Sequence, residues 1–220
     1  MALEDPRQIK PYGTVGQNVA DSAADDKRTA ILKIALDAFL AEGYAAVSMS
    51  RIAAELGGSK GTLYNYFASK EELFSAVVAR KCEVVREAIF QIDRTVDFTT
   101  QLRSLGTCFV EAILSDDSIA TYRLVTAEAA RFPELGRSFY EAGPVVVISQ
   151  VATFLSDAVK AGHLRKGDME VAARQFLELC KADIQHKRLW NIGPAPTETQ
   201  IGKQVDEAVA TFLAAYGTDR

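Results

Sequence analysis

Two histidines and three cysteines are all the imidazole and thiol groups in this chain of 220 residues. His163 and His186 stand apart from the cysteines and from any carboxylate set at ligand spacing, so no metal and no cofactor is expected. Cys180 and His186 are six residues apart, which does not place them on one helix face. His163, in an Ala-Gly-His-Leu run, suits a helix end, and His186 lies on a polar face with Lys187 and Arg188. No P-loop or dinucleotide glycine pattern is present, and nothing positive supports an enzyme. Cys82, Cys108 and Cys180 are far apart without C-x-x-C spacing, which suits reduced thiols in a cytoplasmic protein. They read as core filler, with redox sensing as the lesser alternative. No apolar run reaches the ~20 residues of a membrane span. The N-terminus lacks the basic-then-apolar pattern of a secretory leader. Prolines and glycines are few, 6 and 14, which favours helices over strands and turns.

Composition is otherwise ordinary for a globular chain, 48% hydrophobic and 25% charged. The net charge of −4 argues against a general nucleic-acid coat, but it is uneven: residues 26–81 carry a net +2 and residues 82–220 a net −4. Residues 1–24 lack periodicity and read as a flexible tail. Asp25 or Asp26 caps a helix to Glu42, and the unit from 25 to 70 forms a compact head. A long helix runs from Lys70 to Ile92, with Leu73, Val77, Val84, Ala88 and Ile92 on one side, and joins the head to a body spanning 71–220. The body reads as helices at Phe98–Leu114, Ser118–Arg131, Glu134–Ala161 with a break at Gly143-Pro144, Asp168–Trp190 and Thr197–Tyr216. Alternation of strand type persists nowhere, so the expected fold is all-α.

Residues 48–70 carry the most specific pattern. Ser48 is an N-cap candidate for a short helix with Met49, Ile52, Ala53 and Leu56 inward, and Gly57-Gly58 ends it. Ser59 opens a second short helix whose inner face is Leu63 with Tyr66 or Phe67. A turn this short makes the two helices cross steeply and leaves one face of the second protruding. That face holds Lys60, Gly61, Thr62, Tyr64 and Asn65, a small, polar and basic set suited to the DNA major groove. Gly61 lets backbone approach a base edge, and Thr62 offers a hydroxyl and a methyl. Lys60 reaches guanine or phosphate, and Tyr64, Asn65 and Tyr66 can donate to phosphate oxygens. Ser48, Arg51 and Ser59 complete the expected contact set. Lys70, in the first turn of the next helix, is expected to favour an anion there, and Ser69 with Glu72 forms a capping box.

Over Lys27–Val78 the chain resembles the tetracycline-repressor (TetR) family of bacterial transcriptional regulators. The strongest stretch is Ser59–Phe74, SKGTLYNYFASKEELF, and Ile34–Tyr44, IALDAFLAEGY, is similar to that family's first helix. One departure is Gly58, where the family usually has an apolar residue, often Val. The stretch Tyr122–Pro144, with AEAARFPEL at 127–135 and FYEAGP at 139–144, resembles the regulatory domain of the AefR-like branch.

The resemblance implies a repressor that binds an operator on double-stranded DNA and is released by a small apolar or amphipathic effector held in its body. Phe109, Tyr122, Tyr140 and Phe176, with Thr126 and Gln150 as polar groups, are the expected lining, because helical bodies hold ligands in such apolar cavities. The last helix carries an apolar band, Ile201, Val205, Ala208 and Phe212, wide enough to serve its own core and a partner. One short recognition helix reads few base pairs, so a palindromic operator bound by a homodimer is expected. The alternative is a small-molecule-sequestering protein whose helix-turn-helix no longer binds DNA.

Overall fold

The computed structural model of the chain describes residues 15–89 and 93–218; for 15–24, 84, 85, 88 and 89 it describes the backbone alone. The described residues form ten helices: α1 Val15–Glu42, α2 Met49–Glu55, α3 Lys60–Tyr64, α4 Lys70–Ile89, α5 Phe98–Leu114, α6 Asp116–Glu128, α7 Pro133–Ala142, α8 Pro144–Lys160, α9 Met169–Leu189 and α10 Glu198–Tyr216. Their only extended pairing is one bridge between Leu164 and Gly217. The all-α expectation holds.

Local capping explains most boundaries. Thr197 Oγ1 accepts from Gln200 N at 3.3 Å while Gln200 Oε1 accepts from Thr197 N at 2.9 Å, the reciprocal box that opens α10. α6 starts earlier than expected, because Ser115 rather than a later residue supplies the cap, its Oγ accepting from Ser118 N at 3.3 Å. α1 starts upstream of Asp25, so residues 15–24, expected in the tail, are helical; residues 1–14 of that tail lie outside the described residues. So do Ile92 and the side chains of Val84 and Ala88, expected on the inner side of α4.

The chain breaks between α7 and α8 at Gly143, with φ −108° and ψ −87°. A Cβ there would lie 2.9 Å from Cys82 Sγ and 3.2 Å from Phe139 O, so the missing side chain lets α4 approach the break. Pro133–Lys160 contains a stretch long and apolar enough to cross a membrane by length and composition alone. In the fold this stretch is divided at Gly143, and Val147, Val151, Phe154 and Leu155 turn into the body core.

Two apolar cores result. The body core joins α5, α8, α9 and α10 around Leu105, Phe109, Val151, Phe176, Cys180 and Phe212. Gly106 admits the closest approach in it: a Cβ there would meet Val205 Cγ1 at 2.9 Å and Cys180 Sγ at 3.1 Å. Burial pushes the Cys180 thiol up to about 12 and that of Cys82 up to about 11. Ile201, Val205, Ala208 and Phe212, expected to face a partner, are all at most 6% exposed and belong to this core. Phe212 packs on Phe176 with ring centroids 5.1 Å apart, so the apolar band of α10 is consumed within the chain.

The head core is not confined to residues 25–70. Around Phe39, Tyr44, Ile52, Leu63 and Phe67 it takes in Leu73, Phe74 and Val77 of α4, Leu124 and Val125 of α6 and Leu135 of α7. A boundary at Lys70 therefore cuts through one continuous core. Head and body are joined by packing as well as by α4.

Candidate nucleic-acid interface

α2 and α3 are held by matched caps. Ser48 Oγ accepts from Arg51 N at 3.2 Å and Ser59 Oγ from Thr62 N at 3.1 Å. α2 ends with Gly57 N–H bonded to Ala54 O and Gly58 N–H to Ala53 O, each at 3.2 Å, and Gly57 takes φ +70°. That doubly bonded ending needs a residue tolerant of positive φ at Gly57, which limits the position to glycine in practice. Residues 57–61 also spell G-x-S-x-G, a nucleophile signature. The signature requires a strand before the serine. Here a helix precedes it, and Ser59 Oγ lies 3.0 Å from Thr62 Oγ1 as a cap.

α3 turns Leu63 fully inward, and Phe67 rather than Tyr66 shares its inner face, at 1% exposure. Lys60, Gly61, Tyr64 and Asn65 are exposed, with Thr62 and Tyr66 half-buried. Lys60 Nζ lies 5.7 Å from the Tyr64 ring centre, so the two side chains share the outer face. The Thr62 hydroxyl is engaged by Ser59, whose Oγ lies 3.0 Å from it. Arg51, exposed, is paired with Glu55 at 2.6 Å and with Glu42 at 3.4 Å. Arg28, which sequence reasoning did not single out, lies over the Phe67 ring at 5.3 Å beside the end of α3.

Lys70 does not fill its expected role. Its Nζ donates to Tyr44 O at 2.8 Å and Val47 O at 2.9 Å, with Ala45 O at 3.5 Å, and sits 4.3 Å from the Tyr44 ring centre. The ammonium ties down the loop between α1 and α2 and is spent inside the head. The α4 cap also differs by one residue: Ser69 Oγ accepts from Glu72 N, but Glu72 Oε2 accepts from Ala68 N at 2.7 Å instead of Ser69 N. At this helix start Glu71 is held below the usual carboxylate range, chiefly by its own backbone N–H, with Ser69, Tyr44 and Lys70 adding to it. Burial raises the Tyr44 phenol, and the Glu71 charge adds to the rise.

The head loop is also gripped by the body. Glu128 Oε1, at the end of α6, accepts from Ala45 N at 3.3 Å, and Phe132 meets Tyr44 edge-on at 5.0 Å. α4 is clamped by Ser75 Oγ to Ser138 Oγ at 2.8 Å and by Lys81 Nζ to Asp117 Oδ2 at 2.6 Å.

The six expected ligand residues are not brought together. Phe109 and Phe176 are buried in the body core, and Tyr140 is 55% exposed on α7. Gln150, on α8, has its side-chain oxygen buried without a hydrogen-bond partner among the described residues. Only Tyr122 and Thr126 line a cleft, of about 490 Å³, between α6 and α9. Its other wall includes Gln185, His186, Leu189 and Trp190, all missed from sequence. Gln185 carried a legible signal: an amide eight residues beyond Leu177 on the buried side of an amphipathic helix.

Residues 31–77 match the model for bacterial regulatory proteins of the tetR family, and residues 100–218 match that for the AefR-like transcriptional repressor C-terminal domain. Among solved structures, the chain is similar to the flavonoid-responsive regulator FrrA, at 31% identity and a TM-score of 0.80, covering 89% of this chain and 100% of that one. It is also similar to a TetR-family regulator from Pseudomonas syringae pv. tomato, at 27% identity and a TM-score of 0.71, covering 89% of this chain and 99% of the other. Among curated relatives, the HTH-type transcriptional activator FasR of Mycolicibacterium smegmatis is 35% identical over 102 residues. That match spans 46% of each chain, so less than half of FasR is represented.

Proposed function

Because the chain belongs to the TetR family of bacterial regulatory proteins and carries an AefR-like C-terminal domain, we propose that it is a cytoplasmic, ligand-responsive repressor that binds a palindromic operator as a homodimer. The family consists of transcriptional regulators, not enzymes. The observation that carries the reading is α3. It is held by a serine cap and a buried Leu63, and it presents Lys60, Gly61, Thr62, Tyr64 and Asn65 outward from a rigid head. A five-residue helix of this kind is too short to be stable alone, and its outer face supports nothing in the core. Such a face suits base edges and phosphates at the groove.

The homodimer seam is assigned to the outer faces of α9 and α10, since the apolar band of α10 is used inside the chain. A shallow apolar groove there, of about 510 Å³, is lined by Gln175, Leu179, Thr211, Ala215 and Tyr216 among others. Small residues such as Thr211 and Ala215 permit close helix contact with a second copy. Two copies related by a two-fold axis present two α3 helices, and these need to sit about one turn of DNA, ~34 Å, apart to read a palindrome.

The effector is a small aromatic or amphipathic molecule. The name of FrrA describes flavonoid response, and an aromatic effector for this chain is consistent with that relative. Selection of binding sites from a random duplex pool tests the function as a whole. Enrichment of an inverted repeat supports the repressor; folded protein that enriches nothing supports a sequestering protein instead.

A further inference from the structure

The cleft between α6 and α9 has what a ligand site requires and lies one residue from the head. Tyr122 on one wall and Trp190 on the other are both substantially exposed, at 38% and 69%, and offer flat aromatic faces. Gln185 lines the cleft at only 8% exposure. Arg123 and Lys181 also line the cleft. Arg123 spends Nε and Nη2 on the Leu189 and Arg188 carbonyls, each at 2.8 Å, leaving Nη1 uncommitted among the described contacts. The one carboxylate of the lining, Glu178, is paired with Lys181 at 2.7 Å. The balance is one positive charge. The volume, about 490 Å³, lies within the range of small-molecule sites.

The backbone adds a second peculiarity. α9 leaves helical geometry at Ala182, with φ 19° and ψ −130°, in the wall of the cleft. On the facing wall, Ala127 is followed by Glu128, whose carboxylate holds the backbone of Ala45 in the head. Gly43, in the same loop, comes so near that a Cβ on it would lie 3.4 Å from Glu128 Oε1. The Glu128 contact therefore ties the end of α6, beside the cleft wall, to the loop that precedes α2.

We propose that this cleft, rather than the aromatic interior of the body, is an effector site for a flat aromatic acid, and that α6 carries its occupancy to the head through Glu128. The proposal rests on the reading that α3 binds DNA. Aromatic walls take the ring, the Gln185 amide takes a hydroxyl or carbonyl oxygen, and Arg123 with Lys181 takes the carboxylate.

The test uses the full chain and 1-hydroxy-2-naphthoate as the probe. Trp190 is the chain's single tryptophan and sits in the cleft, so its emission reports binding beside calorimetry. Saturable binding of one probe per chain with quenching of Trp190 is expected. Gln185→Leu and Ala127→Phe should each weaken it at least ~10-fold with melting unchanged, while Gln150→Leu should not. On a selected duplex, the probe should lower the DNA affinity of the wild type. Glu128→Ala should still bind the probe, yet its DNA affinity should no longer respond. Absence of saturable quenching, or loss of binding in Gln150→Leu but not in Gln185→Leu, overturns the cleft as the site. Binding without any effect on wild-type DNA affinity overturns the coupling. A wild type that binds no DNA sinks the reading of α3 instead, and the calorimetric titration then judges the cleft by itself.

Discussion

Lys70 illustrates what a single residue does when a loop folds over it. A lysine in the first turn of a helix, just after Ser69, reads as an anion site, because free N–H groups lie beside it. The chain instead brings back carbonyls 26 and 23 residues upstream, those of Tyr44 and Val47, and the ammonium bridges them. That contact depends on a tertiary return that no local spacing encodes. Lys70→Met should leave those partly buried carbonyls without their donor and lower stability by about 1–3 kcal/mol. It should leave the salt dependence of DNA binding unchanged. Lys60→Ala should do the reverse, leaving the melting temperature intact and reducing the salt slope by about one unit. Thermal melting and anisotropy titrations over a range of salt separate the two. A lowered salt slope for Lys70→Met returns that lysine to the DNA surface.

At the scale of elements, caps and stops were largely legible in the sequence, because each is written within four residues. Thr197 with Gln200, Ser48, Ser59, Gly57 and the Gly143-Pro144 break all act where their types predict. The lining of a void was not legible. Helical spacing tells which side of a helix turns inward, and Phe109 and Phe176 do turn inward, but it does not tell whether the space they meet is filled. The turn between α2 and α3 offers a clean test of element rigidity. A Cβ at Gly58 would lie 3.8 Å from Leu56 Cδ2 and 3.9 Å from Thr62 Cβ, in ordinary contact, and its φ lies outside the left-handed region. Gly58→Ala should therefore stabilise the head by about 0.4–1 kcal/mol, by restricting the unfolded chain. Gly57→Ala, at φ +70°, should cost about 1–2 kcal/mol. Denaturant melts of both variants check the pair, and a destabilised Gly58→Ala contradicts the geometry of the turn.

At the scale of the molecule, head and body share a core, so a change in the body reaches the head by packing as well as through α4. The sequence indicated a dimer but assigned it to a row that the chain buries for itself, since one amphipathic band serves equally well as core or as interface. Phe212→Ala should cost about 3–5 kcal/mol of stability and leave the assembly of the folded fraction intact. Ala215→Glu, on the exposed face, should fold normally and sediment as a monomer. A tight Ala215→Glu dimer moves the seam elsewhere. The central claim is that the outer face of α3 reads DNA, and anisotropy titration of Thr62→Ala and Tyr64→Ala against the selected duplex and its single-base variants tests it most directly. A change in base preference of about 1–3 kcal/mol at particular positions, with melting unchanged, is the predicted result. Variants that bind every duplex as the wild type does contradict it.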